Sequence, residues 1–191
     1  WDWGPKVATC GIWRAAKLEA WNGARIASVR PIVTHAAPVQ AEVRVDIACE
    51  FACDAPESID WVTTITLERR KDEELRTIAM ESTSGLQRNR TSRLIIEKPS
   101  LWWPRGYGEQ HLHQLNVRLS RDGTVLDERR LRIGLRETRL ITNPDAHGES
   151  FAIDVNGIPI FCKGANWIPE GLFPEDQTPG RIRERVRQAA D

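Results

Sequence analysis

Apolar and polar positions alternate with a period of two over most of the chain. From 39 to 53 the odd positions read Val39, Ala41, Val43, Val45, Ile47, Cys49, Phe51 and Cys53, while the even ones include Gln40, Glu42, Arg44, Asp46 and Glu50. Successive side chains of a strand point to opposite faces, so this stretch predicts a strand with one dry face and one wet face. Less regular runs of the same kind cover 26–35, 59–69, 75–82, 93–98, 115–121 and 125–135. Asp122-Gly123 separates the last two, and both residues tolerate the positive φ that a two-residue type I′ hairpin demands.

Seven short strands with turn signals between them and no long helix predict an all-β fold, a seven-stranded immunoglobulin-like antiparallel sandwich over residues 25–142. The Cys-Trp-Cys core of antibody domains does not occur at the right places. The flanks read differently. Residues 12–21 (IWRAAKLEAW) alternate like one more strand, but residues 1–24 are too few for a domain and predict the last strand of something larger. Downstream, 151–155 and 158–162 flank Asn156-Gly157 as a second hairpin, followed by a loop rich in Pro and Gly. Thr178-Pro179 then introduces 181–190, where Ile182 and Val186 share a helical face. Strand, loop and helix over 143–191 resemble the first unit of a (β/α)8 barrel.

Composition narrows the function. With 27 Lys plus Arg against 27 Asp plus Glu the net charge is zero, which removes the electrostatic basis for holding nucleic acid or an anionic membrane. No apolar run is long enough to span a bilayer, and the first residues lack the basic start and apolar stretch of a signal peptide. The chain reads as soluble, and a start at WDWGP without an initiator Met predicts further sequence upstream. Cys10, Cys49, Cys53 and Cys162 form no paired framework, and His is absent at ligand spacing. Cys49 and Cys53 would lie roughly 13 Å apart on one strand face, too far for a disulfide. Free thiols in a reducing, cytoplasmic setting are expected, with no metal or organic cofactor. The pattern sets no oligomeric state.

Five blocks remain: WDWGP at 1–5, GIWR at 11–14, PSLWWPRGYG at 99–108, RIGLRE at 132–137 and VNGIPIFCKGANWIPEG at 155–171. Together and in this order they resemble the β-mannosidase branch of glycoside hydrolase family 2. The resemblance implies a parent enzyme with a sugar-binding jelly roll, an immunoglobulin-like sandwich and a catalytic barrel. This chain would hold the end of the first, all of the second and the start of the third. It favours mannosidases over the family's galactosidases and glucuronidases, which carry a His-containing stretch after the first barrel strand where this chain reads Gly164-Ala165-Asn166-Trp167-Ile168-Pro169.

The same resemblance implies that the chemistry lies elsewhere. A retaining glycosidase needs two carboxyl groups about 5 to 5.5 Å apart, which in this family are glutamates of later barrel strands, one of them following an Asn. The chain has no Asn-Glu dipeptide, so it is expected to contain no catalytic residue and to be inactive alone. What it is expected to bring to a β-mannoside or oligosaccharide is part of the pocket wall. Asp2 is the candidate ligand for sugar hydroxyls, with Trp3 as an aromatic face beside it; its alternative role is a turn cap. Asn166 and Trp167 follow the first barrel strand at its C-terminal end, where barrel sites are built, although Trp167 can equally serve packing. Trp102 and Trp103 read either as a sugar platform or, with Pro104, as a rigid corner between domains. Trp13, Trp21 and Trp61 are expected in the core. Two further readings stay open, a free carbohydrate-binding module and an immunoglobulin-like interaction domain.

Overall fold

The computed structural model describes residues 8, 10–12, 14–52, 61–71, 74–85, 87–168, 170–171 and 173–190. The period-two runs become strands β1 (Ala24–Ala36), β2 (Gln40–Phe51), β3 (Trp61–Lys71), β4 (Glu74–Ser84), β5 (Asn89–Glu97), β6 (His113–Arg121) and β7 (Thr124–Ile133). All pairings are antiparallel, in a three-stranded sheet ordered β1-β2-β5 and a four-stranded sheet ordered β4-β3-β6-β7. This is the expected seven-stranded sandwich. The dry face of β2 supplies Ala41, Val43, Val45, Ile47, Cys49 and Phe51 to a core that Ile65, Leu67, Leu94, Ile96, Leu115, Val117 and Leu119 complete. Each such aliphatic side chain contributes about 1.5–3 kcal/mol on full burial. The wet face of the three-stranded sheet carries an ion-pair ladder, Glu42 with Arg93, Asp46 with Arg44 and Glu50 with Arg25.

Two sheets packed face to face leave four edge strands whose outward N–H and C=O groups need partners. One edge is clasped where β1 bulges between Ile26 and Ser28. The fully buried Ile26 donates its N–H to Asp127 Oδ2 of β7 at 2.8 Å, and its carbonyl accepts from Arg129 Nη2 at 2.9 Å. Asp127 and Arg129 also pair with each other at 2.8 Å. The opposite edge uses the same device: Arg93 N–H of β5 donates to Glu81 Oε2 of β4 at 3.0 Å, and Arg90 bonds Glu81 Oε1 at 2.9 Å. In each case a carboxylate on one sheet caps a backbone donor of the other, with an arginine holding the carboxylate.

A second, smaller sheet follows, ordered β10-β9-β8, from β8 (Thr138–Ile141), β9 (Ala152–Val155) and β10 (Ile158–Ile160). Both hairpin turns have the expected geometry, with φ of 48° and 78° at Asp122-Gly123 and 53° and 83° at Asn156-Gly157. The residues fall into two units, Trp21–Cys162 and a second formed by Trp1–Ala20 with Lys163–Asp191. The boundary expected at 142 falls between β8 and β9, inside the three-stranded sheet. In the second unit α1 (Pro179–Ala190) begins as its sequence dictates: Arg181 N–H donates to the Thr178 hydroxyl, and Pro179 occupies the first helical position, where its missing donor costs nothing.

Two expectations need correction. The alternation over 12–21 does not become a paired strand: among the described residues 14–22 have no ladder partner and all are exposed, because alternation stabilises a strand only when a neighbour supplies hydrogen bonds and a dry face. Trp21 is not core; it is exposed and stacks under the Arg25 guanidinium at 5.1 Å. Trp13 and the side chain of Trp61 lie outside the described residues. Burial pushes the thiol of Cys49 up, keeping it protonated and inert.

His113 sits on the inner face of β6, 1 % exposed, with both ring nitrogens buried and unpartnered. Desolvation, with the charge of Arg69 and His111 nearby, lowers its pKa from 6.5 to about 4. The folded protein therefore holds the neutral ring while the unfolded chain takes up a proton below 6.5, so stability falls as pH drops through this window. Wild type should lose about 2 kcal/mol between pH 7 and 5 that His113→Leu does not lose, measured by urea unfolding at both pH values; equal pH dependence in the two proteins would contradict a neutral buried ring. At the clasped edge, Asp127→Ala should cost about 1–3 kcal/mol and Asp127→Asn less, since an amide oxygen still accepts from Ile26; equal losses would mean that the capping bond contributes nothing.

Candidate functional site

Three of the sequence blocks, far apart along the chain, meet at one end of the sandwich. Leu101 and Leu135 are buried side by side in sequence with Trp102 and Arg136, and Trp102 N–H donates to the Leu135 carbonyl at 2.9 Å. The Trp102 ring lies flat against Gly134: a Cβ there would sit 2.9 Å from Trp102 Cβ and Cγ. The Arg136 guanidinium covers the ring at 4.4 Å from its centroid. Trp103 turns the other way and packs on the core, with Gly108 beneath it, where a Cβ would meet the indole at 2.8 Å. Arg69 at the end of β3 donates to the Ser100 hydroxyl at 2.7 Å and fixes the start of this segment.

The third block enters through Asn156 at the tip of the β9–β10 hairpin. Its side-chain oxygen accepts from Glu137 N–H at 2.9 Å, and its backbone N–H donates to the Glu137 carbonyl at 2.9 Å. Its Nδ2 donates to the Trp102 carbonyl at 3.0 Å. A little further on, Phe161 N–H donates to the Tyr107 hydroxyl at 3.0 Å. The two tryptophans are therefore a packed corner. Half-buried rings held against glycine backbone and an arginine cannot offer the exposed, coplanar surface that a carbohydrate platform requires, which removes the observation a free binding module would need.

Of the sequence-predicted site residues, Asp2 and Trp3 lie outside the described residues. Asn166 and Trp167 are exposed on the loop before α1, Trp167 with 49 % of its surface open. The whole segment 163–168 is exposed rather than buried in a core. Two of the hollows on the described surface are wide enough to consider. One, of 340 Å³, lies over Ser28, Arg30, Asp46, Asn89, Arg90 and Thr91, and the other, of 380 Å³, is walled by Glu170, Arg181, Glu184 and Arg185. Neither has an aromatic wall for a sugar face. Among the described residues no three His, Cys, Asp or Glu side chains are grouped to hold a metal ion.

Sequence reasoning took Asn156 only as a turn former and passed over Tyr107, Arg136 and the two glycines as parts of blocks. A signal was present for one of the pair: a large indole that lies flush on backbone needs a neighbour without Cβ, and Gly108 stands in the same block as Trp103, whereas the glycine under Trp102, Gly134, belongs to another block.

The sequence profile of the glycosyl hydrolases family 2 matches residues 24–136, the span of the seven-stranded sandwich. Over 190 residues and 100 % of its length the chain is 33 % identical to a β-mannosidase B of Emericella nidulans, covering 22 % of that protein. To the β-mannosidase B of Aspergillus oryzae it is 35 % identical over 97 % of the chain and 21 % of the relative. The crystal structure of a β-D-mannosidase from Dictyoglomus thermophilum superposes with a TM-score of 0.84 at 33 % identity, over 99 % of this chain and 23 % of that one. A β-glucuronidase from glycoside hydrolase family 2 aligns over 71 % of the chain with a TM-score of 0.53 at 13 % identity, a likeness of fold alone. The chain thus spans about a fifth of the length of the relatives it matches.

Gly134→Ala tests the corner directly. The added methyl meets the rigid base of Trp102 rather than a flexible tip, so the substitution should destabilise by about 1–3 kcal/mol and shift the Trp emission. A thermal unfolding midpoint equal to wild type would mean that the ring does not rest on this backbone.

Proposed function

The chain belongs to glycosyl hydrolase family 2, and we propose that it is the non-catalytic central portion of a retaining exo-β-mannosidase that removes terminal β-mannosyl residues. The observation that carries this reading is its extent. Likeness to β-mannosidases runs over the whole chain, both flanks included, whereas likeness to the β-glucuronidase is restricted to the fold of a shorter part. In this reading the sandwich braces the sugar-binding and catalytic domains on either side of it, and the acid/base and nucleophile glutamates are supplied by the barrel.

Asp2 is then the ligand for sugar hydroxyls in the innermost subsite. A carboxylate that accepts from two hydroxyls both binds and discriminates, because an epimer that misplaces one hydroxyl leaves a buried acceptor unpaired. Trp3 supplies an apolar face for the ring, Trp167 a second one, and Asn166 orders the polar groups around it. The exposure of Asn166 and Trp167 supports their availability to a ligand. Free thiols at Cys10, Cys49 and Cys162 support a reducing, cytoplasmic setting.

The test is hydrolysis of aryl β-glycosides by the chain and by the full-length protein. The chain alone should release no aryl alcohol above buffer. The full-length protein should prefer the β-mannoside, and Asp2→Ala within it should lower kcat/KM on the order of 100-fold, the loss expected for two charge-assisted hydrogen bonds. Turnover by the chain alone, preference for another sugar, or an Asp2→Ala variant with wild-type kcat/KM would each refute the corresponding part.

A further inference from the structure

Asn-Gly occurs twice in the chain, at 22–23 and at 156–157. The dipeptide is chemically unstable because glycine, with no Cβ, leaves its backbone nitrogen open to the asparagine side chain. Once that nitrogen loses its proton to hydroxide, it attacks Cγ. The N–Cγ bond forms, the Cγ–Nδ2 bond breaks, and ammonia leaves with a proton taken from water. Water then opens the cyclic imide at either carbonyl, giving aspartate or isoaspartate. One water is consumed and one ammonia released, with no oxidation or reduction.

We propose that these two identical dipeptides have opposite fates: Asn22 deamidates in the folded protein, whereas Asn156 is shielded by the corner that it closes and deamidates only when that corner opens, which makes the opening permanent.

The reaction needs a mobile side chain and a nitrogen that can give up its proton. Asn22 is exposed, and among the described residues nothing holds its side-chain amide. Its backbone carbonyl accepts from Ala24 N–H at 2.9 Å, a bond that leaves the side chain free to turn. Asn156 is held on both counts. Its Oδ1 accepts from Glu137 N–H at 2.9 Å and its Nδ2 donates to the Trp102 carbonyl at 3.0 Å, so turning the amide toward Gly157 breaks both bonds. The Gly157 N–H donates to Asp154 Oδ1 at 2.8 Å, and a carboxylate beside an acid holds its proton in place.

Deamidation at Asn156 removes what the corner needs in order to close again. Aspartate retains an oxygen for Glu137 N–H but sets a second, charged oxygen against the Trp102 carbonyl, where a donor stood. Isoaspartate adds a backbone carbon to a two-residue turn and disturbs the β9–β10 register. Either product leaves an acceptor unsatisfied in a half-buried corner. At exposed Asn22 no bond depends on the amide, and the same products cost little.

Peptide mapping by mass spectrometry tests this on the full-length protein, held at mildly alkaline pH in buffer and in denaturing urea. In urea both dipeptides should gain the mass of Asp over Asn at similar rates. In buffer Asn22 should convert within about threefold of its rate in urea, and Asn156 should be slower by more than about tenfold, as a site reactive only in an opened minority must be. Gly134→Ala, which loosens the corner, should speed conversion at Asn156 and leave Asn22 unchanged. Asn156→Asp should lower the thermal midpoint by several degrees, and Asn22→Asp should not. Equal rates at the two sites in the folded protein, whether both fast or both slow, overturn the proposal, as does an Asn156→Asp midpoint equal to wild type. Should Gly134→Ala fail to fold, the wild-type comparison of buffer with urea decides alone.

Discussion

The side-chain amide of Asn156 closes the end of the sandwich. One amide satisfies the N–H of Glu137, the last residue of the RIGLRE block, and a carbonyl from the Trp-Trp corner, while its backbone occupies a left-handed turn position. No other ordinary side chain meets all three demands. It must accept, donate and tolerate positive φ at the same place, and Asn is short enough to do so within its own turn. Around this residue the remaining contacts fall into order: Trp102 on Gly134, Arg136 over Trp102, Trp103 over Gly108 and Phe161 on Tyr107.

The blocks that identify the family are thus, for the most part, blocks that fit one another. Tryptophans beside arginine and tyrosine suggest a sugar site on composition alone, yet here their faces are spent on glycine backbone and on a guanidinium. Geometry decides between the two uses, because a ring serves a ligand only if one face is open. Trp167 meets that condition, whereas Trp102 and Trp103 do not. The sandwich below obeys the same economy: a carboxylate and an arginine at each clasped edge satisfy backbone groups that a closed barrel would satisfy by pairing.

Much of this was legible from the chain itself. The alternation along β2 was regular enough to mark its inner face residue by residue, and Asp122-Gly123 and Asn156-Gly157 marked two hairpins through their tolerance of positive φ. Residues 12–21 alternate without pairing, since alternation reports amphipathicity and not the presence of a neighbouring strand. Trp21 fails for a related reason: an aromatic at an apolar position can be covered by an arginine instead of a core. Asn156 was visible only as a turn residue because its partners lie 19 and 54 positions away, and no local pattern encodes those separations. Asp2 and Trp3 were singled out through resemblance alone, as their proposed partner is a sugar.

The motif corner should open as one cooperative body with the sandwich and not as a loosely attached surface. Native-state hydrogen exchange measures this directly. The amides of Trp102, Glu137 and Asn156 should open with the same free energy as those of Val45 and Val117 in the core strands, because breaking the corner requires breaking the sandwich. Exchange of those three amides through a local opening, at a far smaller free energy while Val45 and Val117 stay protected, would contradict it.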